Sequence, residues 1–447
     1  MAPVTRRRLL QTAGGTGVAA LGGATVASSP LLQTSAVART DRSIRDAVFT
    51  FVSMPDFFNG DVGDLSTLPS WDGGLNSINQ SWREAIDHCL DTAVAHKPEA
   101  IFLAGDMVEG HWNLDVDNRR VFGEVSQGID PESIAMCKKA ISVAGDLYYS
   151  HSAGLFSSRN LPLYPCVGDH EILDDRGGPL NNRWSPSGFH KGLPDNRYYL
   201  VKHCKKVWAK KFTRPGGVPR FARRPRGTAA EFTAYSVSFA DALTLITVDV
   251  FTHHPQGVRL GVFNAQLTWL RDEIRRAKRK GHFVVVQGHI PIMYPVRWIA
   301  SGRLRVPEER ASALYRTLDR EGADLYLCGE VHDTTAIQHA PNTPMQVSHG
   351  CIFEYGYNYL VGQLLPDNRL VLDLYEVPLV RASKERELWS SAAAKYQRTM
   401  IEYGDPVHRG RIIQRGRHVT TRTEKLGVYH PDHDLYDLRH HNPTVVV

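Results

Sequence analysis

Five short segments of this 447-residue chain each close an apolar run with a Gly or a turn and then deliver acids or histidines. They are Pro55-Asp56-Phe57-Phe58-Asn59, Gly105-Asp106-Met107-Val108-Glu109, Gly168-Asp169-His170-Glu171, Gly288-His289 and Gly329-Glu330-Val331-His332. Carboxylates and imidazoles that converge on an open site are a ligand set for divalent metals. A Gly before the acid lets the backbone turn sharply and approach its neighbours closely. In an α/β sheet, groups that follow the carboxyl ends of the strands line one crevice.

The apolar runs do read as strands of such a chain. Ala47 to Ser53 predicts a buried strand, and Trp82, Ile86, Cys89, Leu90 and Ala93 fall at helical spacing before Lys97-Pro98. Ala100 to Ala104 predicts the next strand, followed by a helix near Pro131 to Leu147 and a strand at Leu161 to Val167. Phe232 to Phe239 and Leu243 to Val250 predict an antiparallel pair. Leu267, Leu270, Ile274 and Ala277 mark a helix that stops at Gly281, and His282 to Gln287 reads as a strand with buried faces. A helix over Glu308 to Arg320 precedes a strand at Leu325 to Cys328. Tyr359 to Leu365 and Arg369 to Val377 predict a hairpin around Pro366-Asp367-Asn368. Strands alternating with helices, then further strands, predict α/β layers around mixed sheets. Residues 171–231, rich in Gly, Pro, Asn and Arg, read as an insertion loop, and residues 383–447 as a polar C-terminal extension.

The order Asp, Gly-Asp, Gly-Asp-His-Glu, Gly-His, Gly-x-x-His resembles the calcineurin-like metallophosphoesterase superfamily. Gln266-Leu267-Thr268-Trp269-Leu270 is similar to a helix start common there, and the likeness covers about residues 46–377. It implies a two-sheet α/β sandwich flanked by helices with two divalent metals in its crevice. Position by position, Asp56 would bind the first metal, Asp106 would bridge both, Asp169 and His289 would bind the second, and His332 would return to the first. His170 would stay off the metals and protonate the leaving oxygen or stabilise the transition state. A hydroxide held by the metals would attack phosphorus in line, hydrolysing a phosphate mono- or diester of a small-molecule substrate.

Three positions depart from that pattern. Phe58 stands where the family has a histidine, with Asn59 and Asp61 as nearby substitutes. Asp169 replaces an asparagine, and Glu330 replaces a histidine as ligand. Two imidazoles are lost while carboxylates increase, which favours Mn, Mg, Ca or Fe over Zn. The rival reading is an exported, non-catalytic binding protein with a degenerate centre. Glu109, His111, His253, His254 and His349 lie near the motif strands as candidate substrate or supporting contacts.

With 42% apolar and 22% charged residues the chain can build a sizeable core, which excludes disordered and fibrous classes. No apolar run after residue 40 approaches the roughly 20 residues of a membrane helix. Thr5-Arg6-Arg7-Arg8-Leu9-Leu10, a weakly apolar stretch and Ala36-Val37-Ala38 resemble a twin-arginine (Tat) signal peptide over residues 1–38. This predicts export through the twin-arginine translocase and a mature catalytic domain over 39–382. Six cysteines show no CxxC spacing, so a zinc-thiolate cage is not expected. Lys202 to Arg226 holds ten Lys or Arg and no acid, while the rest of the mature chain is net acidic. That run reads either as a solvated surface or as a positive rim that draws phosphorylated substrates, and no stable nucleic-acid partner is expected. The C-terminal His430, His433, His440 and His441 read as part of a polar tail.

Overall fold

Near-continuous apolar runs such as Ala100–Leu103 and Phe283–Gln287 are stable only in sheets covered on both faces. A computed structural model describes residues 46–56, 64–73, 80–108, 110, 112–114, 120–173, 196–293, 304–330, 334–350, 356–383, 400–423 and 445–446, and there these runs are buried strands. The proposed signal segment, Phe58, Asn59, Asp61, Glu109, His111, His332 and the four C-terminal histidines lie outside the described residues.

In chain order, β1 (Phe49–Ser53), α1 (Gln80–Val94), β2 (Ala100–Leu103), α2 (Pro131–Ser157) and β3 (Leu163–Pro165) form the first alternating run. Helix α2 begins where the sequence predicts, with Pro131 in its first turn and the Asp130 carboxylate accepting from the Glu132 and Ser133 amides. It runs well past Leu147, because Tyr148, Tyr149, Ser152 and Phe156 continue its buried face. Then come α3 (Arg197–Phe212), β4 (Tyr235–Phe239), β5 (Leu243–Thr247), and the hairpin β6 (Phe251–His254) and β7 (Gly257–Leu260). α4 (Asn264–Arg279), β8 (Phe283–Gln287), α5 (Ala313–Glu321), β9 (Leu325–Cys328), β10 (Thr335–Gln338) and β11 (Met345–Ser348) follow. The chain closes with β12 (Gly356–Leu364), β13 (Arg369–Ala382), β14 (Ile401–Tyr403), β15 (Val407–Arg415), β16 (His418–Arg422) and β17 (Val445–Val446).

Two sheets result. The first runs β16-β15-β13-β12-β1-β2-β3, with β14 and β17 on β13, and the second runs β10-β11-β9-β8-β5-β4. β1, β2 and β3 are parallel in the first sheet, as are β5, β8 and β9 in the second. Alternate residues point to opposite faces of a strand, and the core divides accordingly. Phe49, Phe51, Phe102, Leu245, Val285 and Leu327 belong to a cluster drawn only from strands of both sheets, so it is the seam between them. Phe49 stacks on Phe239 of the other sheet with ring centroids 4.6 Å apart. Val52, Ile101, Val284 and Val286 belong instead to a cluster that includes residues of α1, α2 and α4. The fold is a two-sheet α/β sandwich flanked by helices.

Two stretches differ from expectation. The described part of 171–231 is not all loop, because Leu200, Val201, Cys204, Val207, Trp208 and Phe212 form the buried face of α3. Within 383–447, β15 pairs with β13 across the sheet, supported by bidentate Arg411–Asp373 and Arg409–Glu376 contacts. The Cys89, Cys137, Cys166, Cys204 and Cys328 thiols are free and buried.

The insertion helix is tied to the sandwich by charge. Lys205 Nζ lies 2.6 Å from Asp249 Oδ2, with side chains 11% and 3% exposed, and it also donates to the Phe251 carbonyl. Thr233 Oγ1 donates to the same Asp249 oxygen at 2.6 Å. Removing one partner of such a buried pair strands the other charge. Lys205→Met is therefore expected to destabilise the protein by about 3 kcal/mol, read as a lower urea midpoint at unchanged slope; an unchanged midpoint would show that the pair does not anchor α3.

Candidate metal centre

The strand ends bring the sequence-predicted acids together. Asp56 follows β1, Asp106 follows β2, Asp169 and His170 follow β3, His289 follows β8, and Glu330 follows β9. Asp56, Asp106 and Glu330 adopt φ of 53°, 55° and 68°, a left-handed conformation that costs a non-glycine residue about 1–3 kcal/mol. Three such residues at one place mean that the surroundings fix these turns. The neighbouring glycines show why no side chain can replace them. A Cβ on Gly168 would lie 2.0 Å from Asp106 Oδ1, and one on Gly329 would lie 2.6 Å from Asp56 Oδ2.

His289 is the hub. Its Nδ1 lies 2.7 Å from the Ala104 carbonyl, an acceptor only, so Nδ1 carries the proton and Nε2 points inward. Nε2 then faces three carboxylates: Asp169 Oδ1 at 2.7 Å, Asp106 Oδ2 at 3.2 Å and Glu330 Oε2 at 3.5 Å. One ligand atom from each of Asp106, Asp169, His289 and Glu330 lies within 4.8 Å of every other, and all four side chains are buried. Asp106 Oδ2, Asp169 Oδ1 and His289 Nε2 make no aligned hydrogen bond among the described residues. Buried polar atoms left this way are costly unless something else binds them, and a divalent cation fits the donor set. Three oxygens and one nitrogen suit a harder ion better than a thiolate-type site would.

The remaining predicted residues adjoin this group. Asp56 donates its amide to the Gly105 carbonyl at 3.1 Å, and its Oδ1 accepts from the Glu330 amide at 3.2 Å. It thereby links the end of β1 to the end of β9 but lies outside the four-residue cluster. The His170 amide donates to Asp106 Oδ1 at 3.2 Å, and its Nε2 lies 3.7 Å from Asp106 Oδ2. His349 is fully buried against Ser53, 2.9 Å from its hydroxyl, and burial pushes its imidazole down to about 3. It is a neutral packing residue. His253 stacks on Tyr198, with ring centroids 4.7 Å apart.

Sequence reasoning gave Glu171 no role. Its carboxylate accepts from the amides of Gly168 (2.5 Å), Asp106 (3.0 Å) and Met107 (2.7 Å), clamping the turns after β2 and β3 together. Burial, reinforced by the Asp106 charge, raises the Glu171 carboxyl to about 7. Burial also raises Asp56, Asp169 and Glu330, whereas for Asp106 the opposing pull of His289 and His170 outweighs burial and lowers it. Burial alone would lower the His289 imidazole, but Asp106, Asp169 and Glu330 raise it well above its ordinary value.

The chain matches no protein-family model and no curated protein. Solved structures do resemble it. A dimetal phosphatase from Danio rerio is 14% identical with a TM-score of 0.40, covering 73% of this chain and 96% of its own. A purple acid phosphatase from yellow lupin (Lupinus luteus) seeds is 12% identical with a TM-score of 0.40, covering 73% of this chain and 51% of its own. PhoD is 10% identical with a TM-score of 0.43, covering 84% of this chain and 72% of its own.

A ligand that binds only the folded state stabilises it by about 2.7 kcal/mol at a hundred times its Kd. Protein stripped by a chelator is therefore expected to gain several degrees in Tm on reloading with Mn²⁺ or Mg²⁺, and the Asp169→Ala, Glu330→Ala double variant is expected to show no gain. A wild-type Tm indifferent to every divalent ion would remove the metal centre.

Proposed function

We propose that this chain is an exported, metal-dependent phosphoesterase of the calcineurin-like metallophosphoesterase superfamily that hydrolyses phosphate mono- or diesters of small molecules. The observation that carries the reading is the buried convergence of Asp106, Asp169, His289 and Glu330 at the ends of four parallel strands drawn from two sheets. By their place in the motif order, Asp106 would serve both ions, and Asp56 and His332 would serve the first. These residues would hold a divalent ion, which would supply Lewis acidity and lower the pKa of a water bound to it.

The chain's own residues do the rest. Glu171 holds the Asp106 amide and so aims that carboxylate into the crevice. The Asp106 carboxylate accepts the His170 amide, which fixes the backbone of the residue proposed to act on the leaving oxygen. Ala104 holds the His289 tautomer that leaves Nε2 free to ligate. The binding-protein alternative draws on Phe58 and Glu330, yet Glu330 keeps the donor count of the second site intact.

Asp106→Asn keeps the side-chain shape but removes the bridging charge. Its turnover of aryl phosphomonoester and diester substrates is expected to fall at least about a thousandfold with an unchanged circular dichroism spectrum. Turnover near the wild-type value would remove the bridging role, and metal-loaded wild-type protein without turnover would favour the binding-protein reading. Export through the twin-arginine route is proposed from Arg6, Arg7 and Arg8. Replacing all three by Lys is expected to retain the precursor inside the cell, and unaffected export would exclude that route.

A further inference from the structure

The basic run from Lys202 to Arg226 is neutralised only in part by the fold. Lys205 pairs with Asp249, Lys210 with Asp146, Arg223 with Glu273 and Arg224 with Glu231. Arg220 lies over the rings of Tyr164 and Phe221 at 5.1 and 4.8 Å. Among the described residues, Lys202, Lys206, Lys211 and Arg226 make no ion pair with an acid; Lys202 and Lys206 line one cavity of about 590 Å³ together with Arg214, whose guanidinium lies over the Phe232 ring at 4.7 Å and donates to the Gly217 carbonyl. Its walls are α3, Asp146 of α2, the Phe232–Thr233 segment and His253 of β6. Asp146, the one acid in the lining, is already held by Lys210 at 2.9 and 3.0 Å.

Lys202, Lys206 and Lys210 follow one another at four-residue spacing, which stacks three ammonium groups along one side of α3. Like charges so placed destabilise a helix, and an anion between them reverses the sign of that interaction. The floor adds apolar surface from Val207, Ala209 and Phe232, which suits a ligand with an organic body. Burial, then Lys202 and Lys205, lower the His253 imidazole to about 4.

We infer that this cavity, apart from the candidate metal centre, binds a small anion carrying phosphate groups through Lys202, Lys206 and Arg214. The inference does not rest on the proposed hydrolysis. Pyrophosphate titrated into the full chain by calorimetry, with divalent ions removed by a chelator, isolates the cavity from the metal centre. Binding is expected to persist under these conditions and to weaken by at least about a hundredfold in Lys202→Gln, Lys206→Gln, the value of losing two charge-assisted contacts. Lys211→Gln, Arg226→Gln removes two cations outside the lining and is expected to leave it unchanged. Sedimentation with phosphatidylcholine vesicles, with and without phosphatidic acid, shows whether the phosphate is borne by a lipid headgroup or by a free compound, and capture dependent on Lys202 and Lys206 supports the cavity in either case. The inference fails if pyrophosphate does not bind, if chelation abolishes binding, or if both double variants lose it equally.

Discussion

Burying carboxylates is the constraint on which the rest of the structure depends. Asp56, Asp106, Asp169, Glu171 and Glu330 are each at most 5% exposed and sit together at the ends of parallel strands. An ionised carboxylate removed from water is costly unless paired, and in its absence the group takes up a proton instead. Among the described residues, His289 and His170 are the imidazoles that face these acids, and two are too few for five carboxylates. Protons therefore stay on Asp56, Asp169, Glu171 and Glu330 to higher pH than is usual for a carboxyl group. A divalent cation displaces such protons, so its affinity falls with pH as the ligands protonate.

The sandwich is arranged so that this burial is reached from both sheets at once. Phe51 and Phe102 stack with centroids 4.4 Å apart inside the seam, which sets β1 beside β2 and aligns their carboxyl ends. Gly329 donates to the His289 carbonyl at 2.8 Å within the second sheet, and the Glu330 amide donates to Asp56, which stitches the second sheet to the first at the site itself. The strained turns at Asp56, Asp106 and Glu330 persist because these contacts and the glycine-lined approaches leave them no other conformation.

What could be read from the sequence follows from how local each signal is. A strand that ends in Gly and then an acid occupies a few consecutive residues, so Asp106, Asp169, His289 and Glu330 were legible as a group. Glu171 was visible only as the last letter of a motif, because two of its three partners are amides 64 and 65 residues away. Gln266 was noticed as a helix start, but its amide bonding both the N–H and the carbonyl of Asp249 is a tertiary fact. The buried face of α3 was present at helical spacing and was obscured by the lysines between its apolar positions. β15 was hidden for a related reason: Arg409 and Arg411 read as polar tail until Glu376 and Asp373 stand opposite them.

Charge also bears on how many cations the proposed reaction requires. Asp56, Asp106, Asp169 and Glu330, once ionised, carry four negative charges around a crevice that would have to receive an anionic phosphate ester. One dication leaves that crevice negative, and like charges repel strongly where water is excluded. Two dications bring it to neutrality, and the donors beyond the second site, Asp56 and His332, are the ones the motif order assigns to the first. The Glu330 carboxylate sharpens this requirement, because a neutral ligand in its place would leave one charge fewer to balance. If the proposed reaction holds, a centre with this excess of carboxylate would accept phosphate only when both ions are bound, which would tie substrate binding to metal occupancy more tightly than an imidazole-rich site would.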